Sequence, residues 1–353
     1  MKPLDCSPHA LPFTSFQEAA SVLGLTTIRQ VLDRPYRRDL IENLLSETGM
    51  SVLYGAGGVG KSGLLLEVAI SIAAGTDTLN RRTMSGFTVF VHTEGASGLK
   101  PRLQAVSLAK GIEIEDLPLV FIEEPVNMRN TESVDNLARK IRELENRSGI
   151  KCRLLIIDTL ARCFYGDENR QPEMVEFVDN MSRIVRECQA HGLVVHHSGK
   201  DGNGPRGSSV LLGAFDTILC LQKGDEPNEL ILTTDKQKDG APVAIRIECE
   251  QFECGENDEG DTITARAIVG AQDLDQTTAP PPGRGGPSPN ARKMLEILKK
   301  AGPTGLESAV WRKQAQAAGI GPERPATARE VASRLIKDGL VLQDSATGRC
   351  VAT

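Results

Sequence analysis

The residues best placed to do chemistry begin with Gly55-Ala56-Gly57-Gly58-Val59-Gly60-Lys61-Ser62. They satisfy the pattern G-x-x-x-x-G-K-[ST], in which main-chain N–H groups wrap a phosphate. Gly55, Gly57, Gly58 and Gly60 remove the Cβ atoms that such wrapping would meet, and Gly63 follows in the first helical turn. Lys61 is expected to bridge the β- and γ-phosphates of ATP, and the Ser62 hydroxyl to bind Mg²⁺. Two acids follow at the ends of apolar runs. Glu94 closes Phe87-Thr88-Val89-Phe90-Val91-His92-Thr93, where a carboxylate can orient and deprotonate a water attacking the γ-phosphate. Asp158 closes Arg153-Leu154-Leu155-Ile156-Ile157, the form of a Walker B element whose acid holds the Mg²⁺ shell.

Three further clusters bear on the same chemistry. Gly192 to Val195 leads into His196-His197. Adjacent side chains on a strand point to opposite faces, which argues against a zinc pair. A polar residue there is placed instead to sense the γ-phosphate. The glycine-rich loop that follows presents Lys200, Arg206, Ser208 and Ser209, a set able to hold a nucleic-acid backbone. Lys236-Gln237-Lys238 falls at a tight turn between two strands, either a solvated hairpin tip or a finger reaching the nucleotide of a neighbouring subunit.

The elements that must position these residues are those of an α/β sheet. Strands are expected at Met50–Tyr54, Phe87–His92, Leu119–Ile122, Arg153–Asp158, Gly192–Val195, Phe215–Gln222, Glu229–Thr234, Val243–Cys249 and Thr262–Val269. The early ones are continuous Val/Ile/Leu runs, as strands buried on both faces of a parallel sheet require. Helices are expected over Gly63–Ala74, Leu99–Lys110, Thr131–Arg147 and Pro172–Ala190. In Thr131–Arg147 the apolar Val134, Leu137, Ile141 and Leu144 recur at helical spacing.

The 353-residue chain favours two domains, and its 40% hydrophobic and 25% charged residues are those of a soluble globular protein. No apolar run approaches a membrane span and no signal peptide is indicated, so a cytoplasmic location is expected. Eight scattered cysteines form no metal-spaced pair and are expected to be reduced thiols. From Asn290 onward there are 11 Lys and Arg against 6 Asp and Glu, a net of +5 that leaves −11 for the rest of a chain whose total is −6. A basic tail on an acidic body points to nucleic-acid binding by the tail.

The expected divisions are an arm (1–33), an ATPase domain (34–275), a Pro/Gly-rich linker (276–289) and a C-terminal domain (290–353). The linker contains Pro280-Pro281-Pro282-Gly283-Arg284-Gly285-Gly286-Pro287, which forms neither helix nor sheet. After it, three short helices (Ala291–Lys300, Glu307–Ala318, Thr327–Lys337) precede a hairpin. That is the order of a winged helix-turn-helix, with Arg329 and Arg334 of the third helix near a duplex DNA backbone. A small protein-docking domain of the same shape is the alternative.

Taken together, residues 50 to about 250 resemble the RecA-like hexameric helicases, and among them the RepA-type plasmid and phage replicative ATPases related to the DnaB helicases. The motifs carrying this are Gly55–Ser62, Glu94, Leu155-Ile156-Ile157-Asp158-Thr159-Leu160, Val194-Val195-His196-His197-Ser198 and Arg206-Gly207-Ser208-Ser209. The resemblance implies a RecA-like P-loop core with a mostly parallel sheet, ATP and Mg²⁺ as ligands, a homo-oligomeric (hexameric) ring and single-stranded DNA as partner. It implies Glu94 as catalytic base, Asp158 as the Walker B acid and His197 as the sensor coupling the γ-phosphate to loop 200–209. Lys236-Gln237-Lys238 falls where DnaB-type proteins carry a Lys-x-Arg pair acting across the subunit interface; Lys238 lacks the bidentate fork of that arginine. A replicative helicase is the function implied. An ATP-switched DNA-binding regulator or loader without unwinding is the alternative.

Overall fold

The computed structural model describes residues 15–199, 204–275, 289–320, 326–337, 339–344 and 347–352. Lys200 and the linker expected at 276–289, up to residue 288, lie outside the described residues.

The chain divides into two units, one up to Arg38 and the other from Asp39 onward. The first contains helices α1 (Phe16–Val22) and α2 (Ile28–Leu32). Both begin on hydroxyl caps: Ser15 Oγ accepts from Glu18 N, and Thr27 and Gln30 form a reciprocal capping box.

The second unit opens with the short hairpin β1 (Asp39–Ile41) and β2 (Leu45–Ser46). Its centre is a nine-stranded sheet: β3 (Gly49–Gly55), β4 (Phe87–His92), β5 (Leu119–Ile122), β6 (Cys152–Asp158), β7 (His191–His197), β8 (Thr217–Lys223), β9 (Glu229–Gln237), β10 (Ala244–Glu256) and β11 (Thr262–Asp273). The spatial order is β11-β10-β9-β8-β3-β7-β6-β4-β5. From β8 to β5 all neighbours are parallel, and β9, β10 and β11 extend the sheet antiparallel on one side. The protein therefore has the expected α/β fold with a large, mostly parallel central sheet.

Successive residues of the parallel strands serve opposite faces. Val52 and Tyr54 of β3 pack into one apolar cluster with α5 (Thr131–Ser148), α6 (Leu160–Phe164) and α7 (Gln171–Cys188). Leu53 packs into the other, with α3 (Lys61–Ala74) and Leu99, the first residue of α4 (Leu99–Lys110). Helices on both faces are what lets these strands be apolar throughout. A third cluster, around Ile70, Ala105, Val106, Cys254 and Ala267, seats the β10–β11 hairpin against α3 and α4.

Three strands differ from expectation. β9 runs on to Gln237, with its register against β8 shifting after Ile218, so Lys236 lies within a strand and not at the turn. β10 and β11 are longer than their apolar runs, because pairing across the hairpin continues, through two register shifts, from Ile245 and Asp273 to Glu256 and Thr262. The seven described cysteines are free and buried, and no described helix is long and apolar enough to cross a membrane.

Beyond the short α8 (Val210–Ala214) and the central sheet lies a C-terminal domain with its own core around the fully buried Trp311. It contains α9 (Pro289–Ala301), α10 (Ser308–Ala317) and α11 (Ala326–Lys337). Its three-stranded sheet has the order β12 (Leu306–Glu307), β14 (Arg349–Ala352), β13 (Val341–Gln343). The two-residue β12 is an addition to the expected hairpin; it pairs with β14 and makes the hairpin a small sheet.

Candidate active site

The expected site residues converge at the carboxyl ends of four adjacent strands, β3, β7, β6 and β4. Registers place Gly55 beside His197, His92 beside Asp158 and Ile157 beside Val194, so β3 and β7 run two residues beyond β6 and β4 at the same edge. That edge of a parallel sheet is where ligands bind in α/β proteins. A cavity of about 440 Å³ opens there, lined by Gly58, Gly60, Lys61, Ser62, Glu94, Asp158 and His197 among others.

The loop leaving β3 is shaped by three of its glycines. A Cβ on Gly55 would overlap the carbonyl oxygen of Leu221, while Gly58 and Gly60 have φ of 71° and 116°, in the left-handed region. Around Gly57 and Gly63 there is open space within 4 Å, so their lack of a side chain answers to no neighbour within the chain. α3 then starts directly at Lys61 and points its free N–H groups and dipole at the cavity.

Lys61 is only 6% exposed and turns back on its own loop, donating to the carbonyls of Gly55 (2.9 Å) and Ala56 (3.0 Å). Burial holds its ammonium below the ordinary lysine value, against the charges of Asp158 and Glu94, which pull it up. Ser62 Oγ donates to Asp158 Oδ2 at 2.7 Å. Asp158 is 1% exposed, and burial raises its carboxyl above the usual range; the Ser62 hydrogen bond and the nearby His92 act the other way. Asp158 is also tied to β4 through its carbonyl, which accepts from both Thr93 N and Thr93 Oγ1 at 2.9 Å. Glu94 is exposed at the mouth, and Thr159 Oγ1 donates to its Oε1 at 3.1 Å.

This donor set fits a magnesium nucleotide. A hard divalent cation takes oxygen ligands, and the Ser62 hydroxyl with the Asp158 carboxylate supplies a 2.7 Å oxygen pair at the helix N-terminus. Lys61, parked on carbonyls, is a mobile donor that a phosphate can recruit.

The two histidines separate. His196 is buried and its Nε2 lies 2.7 Å from the carbonyl of Arg206, while His197 lines the cavity. His196 is pushed down to about 4, chiefly by burial, so its ring is neutral and Nε2–H is the donor. The loop after β7 is pinned to the pocket: Arg206 N donates to His197 O at 2.9 Å and Ser198 N to Gly55 O at 3.2 Å. In this loop Arg206 and Ser209 are exposed. Ser208 is buried, its N–H bonded to the Glu168 carbonyl and its hydroxyl accepting from Val210 N.

Of the two lysines on β9 and its turn, Lys236 is committed to its own chain. Its Nζ donates to the carbonyls of Leu212 (2.8 Å), Gly213 (3.2 Å) and Phe215 (2.7 Å), closing the end of α8. Lys238 is 63% exposed and meets Asp216 at 3.3 Å. In the C-terminal domain Arg329 and Arg334 lie on the exposed side of α11.

Sequence reasoning missed part of the cavity wall: Arg102 and Pro101 on α4, Thr159, Cys249 on β10, and Thr264 and Arg266 on β11. The signal available was positional. Arg102 falls eight residues after Glu94, in the first turn of a helix that starts at the same sheet edge.

The chain is similar to known proteins in two comparisons. A family model described as AAA domain matches residues 18–203, more than half of the chain. Among solved structures, an ATPase domain is similar to this chain, with a TM-score of 0.46 and 12% identity, covering 67% of this chain and 95% of that one. The residues matched by the family model contain the P-loop, both acids and the histidine pair, and on that match the chain belongs to the AAA domain family.

Proposed function

We propose that the chain is an ATP-driven DNA motor, a replicative helicase of the RepA type from a plasmid or phage. It would hydrolyse ATP at the interfaces of a homo-oligomeric ring and translocate on single-stranded DNA. The observation that carries this is that the adjacent carboxyl ends of β3, β7, β6 and β4 gather Lys61, Ser62, Glu94, Asp158 and His197 around one cavity.

The chemistry follows from these positions. The α3 N-terminus and the amides of Gly58 to Ser62 bind phosphate oxygens, and Lys61 leaves its loop carbonyls to bridge the outer two phosphates. Ser62 and Asp158 would hold Mg²⁺, which neutralises charge on the β- and γ-oxygens. Glu94, oriented by Thr159, accepts the proton of the attacking water. His197 touches the same cavity, and its carbonyl holds the Arg206 amide, so a shift at the γ-phosphate has a two-bond route to loop 204–209. Arg206 and Ser209, with Lys200, are the groups assigned to the DNA backbone; the buried Ser208 keeps the loop attached to Glu168. Lys238 is the residue assigned to act across the subunit interface, since Lys236 is already occupied at α8. The basic C-terminal domain would add duplex DNA contacts through Arg329 and Arg334.

ATP turnover by the purified chain, without DNA, with single-stranded DNA and with duplex, tests the proposal. Stimulation by the single strand is expected. Turnover that ignores it, together with high-affinity binding of one duplex sequence, would instead favour an ATP-switched regulator or loader.

A further inference from the structure

Arg102 stands apart from the other partly buried arginines of the ATPase sheet. Arg81 pairs with Asp273, Arg129 with Glu173 and Glu176, and Arg153 with Glu47. Arg102 is half-buried and makes no hydrogen bond or ion pair among the described residues. A guanidinium carries five donors and stays charged, so leaving it part-desolvated and unmatched is costly unless a ligand completes it.

Its location indicates which ligand. A Cβ built on Gly98 would come within 3.0 Å of Arg102 Nη2, and one on Gly95 within 3.6 Å. The guanidinium therefore lies against the turn that carries Glu94, and it lines the same cavity as Lys61, Ser62 and Asp158. The glycine loop and α3 grip a nucleotide from the β3 side, whereas Arg102 approaches from the β4 side, where Glu94 would address the attacked phosphorus. Arg266 also lines the cavity, but it is exposed to solvent and carries no such desolvation penalty.

We infer that Arg102 contacts the terminal phosphate of a bound nucleoside triphosphate within its own subunit and is the group by which the pocket tells triphosphate from diphosphate. The inference rests on the nucleotide-binding reading of the P-loop. A charge-assisted contact made to the γ-phosphate is absent with ADP, so its loss must fall on one nucleotide and not the other.

The test is calorimetric titration of the full chain, with Mg²⁺, by the β,γ-imido analogue of ATP and by ADP. Arg102→Ala should weaken the triphosphate analogue by roughly tenfold to a hundredfold, the range of a charged hydrogen bond, and leave ADP within about twofold. Arg102→Lys should fall between, keeping the charge without the fork. If the alanine variant fails to fold, the lysine variant carries the same comparison, with its thermal midpoint matched to wild type. Equal weakening of both nucleotides, or of neither, overturns the assignment. Wild-type protein that binds neither nucleotide would overturn the P-loop reading itself, a result distinct from the other two.

Discussion

Ser62 Oγ donates a 2.7 Å hydrogen bond to Asp158 Oδ2, and this one contact joins the first turn of α3 to the end of β6 across 96 positions of sequence. It puts the oxygen ligands expected for Mg²⁺ side by side before any nucleotide arrives. It also stabilises a buried carboxylate whose desolvation is the largest influence on it. Ser62→Ala should therefore have two effects. The ligand-free protein should lose about 1–3 kcal/mol of stability, because a buried acid loses its hydroxyl donor. Mg²⁺-dependent turnover should fall by at least roughly tenfold, a magnitude of about one lost charge-assisted contact. Thermal melts without nucleotide and steady-state turnover separate the two, and an unchanged melt would remove the apo role.

Lys61 tests the opposite balance. Its ammonium is desolvated and satisfied only by two main-chain carbonyls while the pocket is free of phosphate. Lys61→Met replaces a buried charge with a side chain of similar length, and such replacements are often neutral or stabilising. The expected outcome is a melting temperature equal to or above wild type, with ATP binding lost. A variant that melts low and still binds ATP would contradict both halves of the assignment.

Glu94 and Thr159 divide the work at the pocket mouth. Glu94→Gln keeps an oxygen to accept from Thr159 Oγ1 but cannot take a proton, so turnover should fall by roughly a hundredfold to ten-thousandfold while nucleotide affinity changes little. Thr159→Val removes only the orienting hydroxyl. It should lower turnover less, and by no more than about tenfold. A Glu94→Gln enzyme with wild-type turnover would move the base elsewhere.

How much of this was legible beforehand depends on where the chemistry sits. Gly55–Ser62, Glu94, Asp158 and His197 could be read because each ends an apolar run, and continuous apolar runs announce parallel strands. Their convergence followed from the sheet. Arg102 and Arg266 could not be read in this way: one lies in the first turn of a helix, on the face that also buries Leu99, Ala105 and Val106, and the other sits at an exposed position of an alternating strand, and an arginine in either place reads from sequence as a solvated charge. The role of Lys236 was hidden for a different reason. A charged Asp-Lys-Gln-Lys run reads as a turn, but pairing with β8 carries β9 through Gln237 and delivers Lys236 to the open carbonyls of α8.

That placement makes the two lysines separable. Lys236→Ala leaves the carbonyls of Leu212, Gly213 and Phe215 without their shared cation and should cost about 1–3 kcal/mol, read as a lower melting temperature. Lys238→Ala breaks only an exposed pair with Asp216, worth at most about 1 kcal/mol, so the melt should be unchanged. If Lys238 acts on a neighbour's nucleotide, turnover should nevertheless fall, and mixing it with Lys61→Met protein, whose intact Lys238 serves the neighbouring pocket, should restore part of the activity. Low stability in Lys238→Ala, or no recovery on mixing, would count against a role across the interface.

His196 supplies the pH prediction. The ring is 1% exposed, donates to the Arg206 carbonyl, and is pushed from 6.5 down to about 4 by burial, reinforced by the charges of His197, Arg206 and Lys61. Glu168 Oε2 lies 3.6 Å from Nε2, the one carboxylate positioned to favour protonation. Because the folded value is depressed, the unfolded chain binds more protons between pH 6.5 and about 4. The stability held by the neutral ring is thus fully present above pH 6.5 and is lost as pH falls towards 4, on the order of 3 kcal/mol in all. Other carboxylates titrate in the same window, so the comparison must be between proteins. His196→Gln keeps an N–H donor for the Arg206 carbonyl but does not titrate. Urea unfolding of both proteins at pH 7 and pH 4.5 should show the wild type losing about 2–3 kcal/mol more than the variant over that interval. Parallel losses in the two proteins would mean that the fold does not depress the His196 value, so that at pH 4.5 a charged ring beside Glu168 would hold the loop after β7 in place of a neutral hydrogen bond.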